Sequence, residues 1–258
     1  MGRPAAASRF CAKLAQTRTA ALFMLMCLST FTAGADASAA PTPAVLFEDV
    51  AVFDGRADAL TEPLQVLVVG NRIERISSDP IEPPDGLDLT RIDGGGRTLM
   101  PGLIDAHTHV MYATLSRQTL LTSDIGFLNV AATKAARDML LRGFTSIRDL
   151  GGPVFGLKRG IDRGLVPGPR IWPAGAFISQ SGGHGDFRLP YELPAAPDAF
   201  SYSERIGAAL IADGPDEVRK RTREQLALGA SQIKLMAGGG VASIYDPLDV
   251  TQYTVPEL

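Results

Sequence analysis

The sequence is poor in the residues that most often carry chemistry. Its 258 positions hold two cysteines, three histidines and one tryptophan. Both cysteines, Cys11 and Cys27, lie near the N-terminus. The rest of the chain therefore forms neither a disulfide nor a thiolate metal site. A metal bound there must be held by histidine, carboxylate or a less usual donor. Basic clusters are missing beyond the N-terminus, and the net charge is −3, so nothing suggests a nucleic-acid partner. The chain also lacks an apolar run of the roughly 20 residues that a membrane-spanning helix needs. What remains is ordinary globular composition, 45% hydrophobic, enough for one sizeable core or two modest domains.

The N-terminus departs from this texture. Arg3, Arg9, Lys13 and Arg18 precede the apolar run "AALFMLMCLSTF", which gives way to the small residues "TAGADASAAPTP". Ala37-Ser38-Ala39 fits the small-x-small pattern of signal cleavage. Residues 1–39 are thus expected to be a secretory signal, with a periplasmic or secreted mature protein and no stable membrane span after cleavage. An uncleaved anchor is the alternative. A lipidated Cys27 fits less well, since Met26 stands where a small residue is usual, and no twin arginine is present.

From Val45 onward, "VLFEDVAVFDG" and "LQVLVVGNRIERIS" are β-branched runs split by turns at Asp54-Gly55 and Gly70-Asn71. They predict a small antiparallel β unit of about five short strands, ending near Leu99. After Pro101 strand-like and helical runs alternate. "GLIDAHTH", "FTSIRDLG", "RIWPAGAFIS" and "SQIKLMA" read as four strands. Helices are expected over residues 124–142, within "VFGLKRGIDRG", and from Pro215 to Leu228 with Asp213 as its cap. Four β/α units in series predict parallel sheet with right-handed crossovers. A doubly wound sheet and an eight-fold barrel both begin this way.

Two of the three histidines stand one residue apart in "PGLIDAHTHV". Residues i and i+2 of a strand share a face. His107 and His109 therefore project together at the C-terminal end of a strand, where barrel sites are built. Two imidazoles so placed can grip one metal ion. The bland alternative is two polar residues at a strand end. Asp105 shares their face. His184, between glycines in "SQSGGHGDF", falls on a loop after the third strand. It reads as a substrate-binding residue or as an exposed loop histidine. Arg148 and Asp149 read as structural.

"LMPGLIDAHTHV", followed by "GFTSIRDLGG", "GPRIWPAG", "GGHGD" and "LALGASQIKLMAGGG", resembles the amidohydrolase superfamily of metal-dependent hydrolases. The likeness is to the branch holding Xaa-Pro dipeptidase (prolidase)-like and imidazolonepropionase-related enzymes, and it covers residues 45–258. It implies an α/β fold: the first half of a TIM-like (β/α)8 barrel, preceded by part of a small β-sandwich. The expected divisions are a signal at 1–39, the β unit at 44–99 and four β/α units at 100–258. The resemblance also implies two divalent metal ions, zinc first among them, held by His107, His109 and a CO2-derived carbamate on Lys234. Tyr253 occupies a position that contacts substrate in related enzymes. The implied reaction is hydrolysis of a carbon–nitrogen bond in a small, dipeptide-like substrate by a metal-bound hydroxide.

The family's two further metal histidines and its catalytic aspartate find no counterpart here, because no histidine follows His184. The chain is therefore expected to be an N-terminal fragment, inactive alone, with the general acid/base beyond Leu258. Two alternatives stand beside this. One is a mononuclear deaminase or imidazolone-type cyclic amidase, which would not need Lys234. The other is an exported, non-catalytic binding protein with an incomplete site.

Overall fold

The computed structural model describes residues 40–196, 199–242 and 244–258. The expected signal at 1–39 lies outside them. Two compact units emerge, one comprising residues up to Val52 together with Leu60–Thr98, the other Phe53–Ala59 together with Leu99–Leu258.

The first unit holds strands β1 (Thr42–Val52), β2 (Leu64–Val69), β3 (Arg72–Ser77) and β4 (Leu87–Asp93). They lie in the order β3-β2-β1-β4. The Gly70-Asn71 turn joins β2 and β3 as a tight antiparallel hairpin, with Gly70 at φ 59°. The sheet is not wholly antiparallel, however. β4 runs parallel to β1, from Thr42 opposite Leu87 to Glu48 opposite Asp93. The proline-rich stretch after β3 carries the chain across to the far side of β1, which a hairpin cannot do. That crossing also contributes to the core: Ile81 packs with Leu46 and Leu67, each 3% exposed or less.

The two-residue strand β5 (Thr98–Leu99) leads into the second unit. There β6 (Leu103–Thr108), β7 (Phe144–Asp149) and β8 (Arg170–Pro173) form a parallel sheet in that order. The short helix α1 (Arg117–Thr122) and the long helix α2 (Ile125–Leu141) connect β6 to β7. Asp124 caps α2 by accepting the Phe127 N–H at 3.0 Å. Leu128, Ala132, Ala135, Ala136 and Met139 form its buried stripe, at the spacing that keeps one helical face inward. They pack with Ile147 of β7, Ile171 of β8, and Val154 and Leu157 around helix α3 (Phe155–Asp162).

The expected third strand breaks in two. β8 ends at Pro173 and β9 (Phe177–Ser179) begins after Ala174-Gly175-Ala176. Gly175 adopts φ +75°, and a Cβ there would lie 2.3 Å from Gln225 Oε1. That same oxygen accepts the Ala176 N–H at 2.9 Å, so the break is pinned by the helix that carries Gln225. β9 pairs in parallel with β10 (Ala209–Ile211), a strand the sequence did not disclose. The short helix α4 (Tyr202–Arg205) precedes it.

Helix α5 spans Pro215–Ala227, but its cap is Gly214 and not Asp213. Asp213 instead accepts the backbone N–H and hydroxyl of Ser181. The fourth strand is reduced to a single parallel bridge between Ile178 and Leu235. It is fastened by Ile178 N–H to Lys234 O and Met236 N–H to Ile178 O, both 2.9 Å.

Candidate functional site

The end of β6 delivers both histidines to one place. The His107 and His109 rings lie 5.6 Å apart, nearly edge to face. Asp105, on the same face, turns its carboxylate back to accept the His107 backbone N–H at 3.0 Å. It holds the turn of the strand end. Neighbouring Asp149 is fully buried and accepts the N–H groups of Val110 at 2.7 Å and Gly151 at 3.2 Å. Burial pushes this carboxyl up to about 7 against the pull of those two donors. Arg148 donates to the Ala106 carbonyl at 2.8 Å. Among the described residues neither Arg148 nor Asp149 forms an ion pair, and both act structurally by clamping the strand that presents the histidines.

The surroundings of His109 disfavour positive charge. Burial first, then the His107 imidazole and the Lys234 ammonium, hold it below the usual histidine range. The Gly151 backbone opposes them without forming a bond of normal geometry, and Nδ1 is left buried and unpartnered. Lys234 is thus near enough to act on His109. These features fit a cation held by the neutral imidazoles, since a buried polar atom without a partner is costly. They fit a carbamate on Lys234 for the same reason, because it would replace a repelling ammonium with an anion. Among the described residues, no group of three or more His, Cys, Asp or Glu gathers as a metal site. His107, His109 and Lys234 are the donors that the family resemblance nominates.

His184 reaches the same region from the loop after β9. It and His109 both line a cavity of about 380 Å³, walled mainly by Leu115, Leu120, Phe177, Phe187, Ile206 and Met236. Three residues absent from the sequence reading hold the His184 loop. Asp186 accepts the N–H groups of Gly182 and Arg188 at 2.8 and 3.1 Å, and pairs with the Arg188 guanidinium at 2.5 and 2.8 Å. Ser179 Oγ accepts the Gly185 N–H at 3.0 Å. Gln252 Oε1 accepts the His184 N–H at 3.0 Å while its Nε2 donates to Asp246 at 2.6 Å. The ring also lies tight against Gly240, where a Cβ would fall 2.2 Å from His184 Cε1. Gly240, the last glycine of "MAGGG", thus makes room for the imidazole. A glycine run facing the "GGHGD" loop was the signal in the sequence, but only the fold brings the two together.

Tyr253 does not join this group. Its hydroxyl donates to the Ala212 carbonyl at 3.0 Å, and its ring packs beside Ile178 and Val218. Its φ of 64° turns the chain there. The side chain fastens the segment after "GGG" to Ala212, just past β10, and does not line the cavity.

A model of the amidohydrolase family matches residues 98–258. The ochratoxinase of Aspergillus niger is 34% identical over 214 residues, covering 76% of this chain and 43% of its own. A solved prolidase complexed with N-methylphosphonate-L-proline is 36% identical, with a TM-score of 0.72 over 83% of this chain and 51% of that one. A Xaa-Pro dipeptidase with methionine bound in its active site is 29% identical, with a TM-score of 0.66 over 83% and 52%. The chain therefore spans about half the length of these relatives, and its parallel α/β unit is that of their barrels. With the family's match reaching from the strand before the histidines to the last residue, the chain belongs to the amidohydrolase family.

Proposed function

We propose that the protein is an exported, metal-dependent hydrolase of carbon–nitrogen bonds, acting on amide or peptide bonds of small, dipeptide-like substrates. The observation that carries this reading is the convergence at the end of β6. Two imidazoles stand side by side there, and that of His109, whose Nδ1 is buried and unpartnered, feels the charge of Lys234 and lines an apolar cavity. The relatives support the bond type, being an ochratoxinase, a prolidase and a Xaa-Pro dipeptidase. Export rests on the basic, apolar and small segments of residues 1–39.

His107, His109 and a carbamylated Lys234 would hold the divalent ions, with zinc suited to such nitrogen and oxygen donors. Bound there, a divalent ion supplies a Lewis acid and lowers the pKa of water towards about 7. The chain's own residues do the rest. The apolar cavity excludes water around the bound substrate. The His184 loop, fixed from three sides, presents an imidazole across from His109. Low pKa at His109 keeps its ring neutral and able to donate a lone pair at physiological pH.

The test uses the full-length gene product. Metal analysis should find about two divalent ions per chain, as in two-metal sites. Acyl amino acids and dipeptides should be cleaved, and Lys234→Ala should abolish both cleavage and one equivalent of metal. Full activity in Lys234→Ala would favour the mononuclear deaminase or cyclic amidase. A folded protein that takes up no metal would point to a binding protein.

A further inference from the structure

One buried side chain joins two loops of the site. Gln252 is 2% exposed, between the exposed Thr251 and the half-buried Tyr253. Its backbone N–H donates to the Ala237 carbonyl at 3.0 Å, and Thr251 forms an antiparallel bridge with Gly238. The segment is thereby sewn to the chain that leaves Lys234. The Gln252 side chain reaches the loop after β9, where Oε1 accepts the His184 N–H at 3.0 Å. That approach needs a glycine, since a Cβ at Gly183 would fall 2.6 Å from the same oxygen. One residue thus ties the strand end of Lys234 to the loop of His184.

The two partners of the Gln252 amide dictate its orientation. A backbone N–H only donates and a carboxylate only accepts. The amide oxygen therefore faces His184, and its nitrogen faces Asp246 Oδ2 at 2.6 Å. This is the one hydrogen bond that the Asp246 side chain makes among the described residues. Its Oδ1 is buried without a partner, and the acid belongs to none of the ion pairs. A buried carboxylate oxygen left unsatisfied costs stability, so folding alone does not account for the acid. Locking the Gln252 amide does.

We propose that Gln252 is a positioning residue that sets where the His184 imidazole stands relative to Lys234, and that Asp246 holds its amide in register. The imidazole so held lies against Gly240, at the end of the glycine run that follows Lys234, and lines the cavity together with His109. The inference rests on the hydrolase reading for the task of His184, but not for its placement.

The test reverses the polarity of the pair in the full-length gene product. Gln252→Glu keeps an oxygen for the His184 N–H but sets a second carboxylate against Asp246. Two carboxylates at that range share one proton and lose it as pH rises. Repulsion then frees the loop. In Asp246→Asn/Gln252→Glu the new amide donates to the new carboxylate, and the acceptor for His184 persists at every pH. Gln252→Leu removes it. Two readouts, each taken as a ratio to wild type, run from about pH 5 to about pH 8, the range in which a raised carboxyl titrates. One is kcat/KM for hydrolysis of N-acetyl-L-alanine. The other is protection of the His184 amide against hydrogen exchange, which needs no turnover. Gln252→Glu should follow wild type at the acid end and lose about 10- to 100-fold in kcat/KM towards the alkaline end, the scale of a misplaced group in a site. Its protection should fall over the same range. The paired variant should run parallel to wild type, and Gln252→Leu should be low in both readouts throughout. Should Gln252→Glu fail to fold, the paired variant decides alone, and wild-type protection and turnover there uphold the proposal. If protection follows the expected pattern while wild type cleaves nothing, the hydrolase reading fails and the placement of His184 by Gln252 stands. Loss of protection with no loss of kcat/KM in a cleaving enzyme overturns the proposal. So does a Gln252→Glu protein that matches wild type at the alkaline end, or a paired variant no better than Gln252→Leu.

Discussion

Asp186 is 2% exposed, and it sits two residues from His184. Burial alone would raise its pKa. The Arg188 guanidinium and the N–H groups of Gly182 and Arg188 outweigh burial and hold it below its ordinary value of 3.8. A carboxylate stabilised in this way strengthens the fold above the unfolded-state pKa and loses that contribution as pH falls through the lowered one. Asp186→Asn should therefore destabilise the protein by about 1.5–3 kcal/mol at neutral pH. Thermal midpoints of mutant and wild type should converge as pH drops below about 4. A gap that stays constant from pH 7 to pH 3 would show that the carboxylate's charge is immaterial. The same scale explains why this residue escaped the sequence reading. "GGHGDFR" displays the histidine openly, whereas the role of Asp186 depends on loop closure. Gln252 is harder still to see, because its contact with His184 spans 68 residues.

At the scale of elements, periodicity was the best guide. α2 was legible because its apolar residues recur at helical spacing and Asp124 precedes them. Leu128 is fully buried on that stripe, while Val130 is 69% exposed. Leu128→Ala should cost about 2–5 kcal/mol, and Val130→Ala less than about 0.5 kcal/mol, both read from denaturant midpoints. Similar losses at the two positions would refute the assigned face. The break between β8 and β9 was not legible. Gly175 looks like any strand glycine until Gln225 of α5 is seen to need its space. β10 has only three residues, too few to show a period. Asp213 was a sensible cap by residue type, but it was recruited by Ser181, and the helix began on Gly214 with Pro215 behind it.

At the scale of the molecule, the sequence showed which side chains share a strand end better than how the chain is routed. His107 and His109 follow from the two-residue period of a strand, and the ring separation agrees with it. The nearness of Lys234 to His109 depends on the order of the parallel strands, which no local pattern encodes. The same blindness affected the first unit, where strand lengths and turns were readable but the direction of β4 was not.

That direction has a kinetic consequence. β2 and β3 are joined by a tight turn and can zip together in microseconds. β1 gains its second neighbour only when Leu87 arrives opposite Thr42, 45 positions along (87 − 42). Closing so long a loop comes with an entropic cost before contacts reward it. The β1–β4 ladder should therefore form late. Leu89→Ala on β4 is expected to accelerate unfolding and leave refolding nearly unmoved, whereas Leu67→Ala on β2 should slow refolding. Stopped-flow chevrons would show this, and a Leu89→Ala variant that refolds as slowly as Leu67→Ala would place the crossing early. If the ladder does form last, β1 spends the early life of the chain with one edge open, the interval in which the protein is most prone to pair with its neighbours instead of itself.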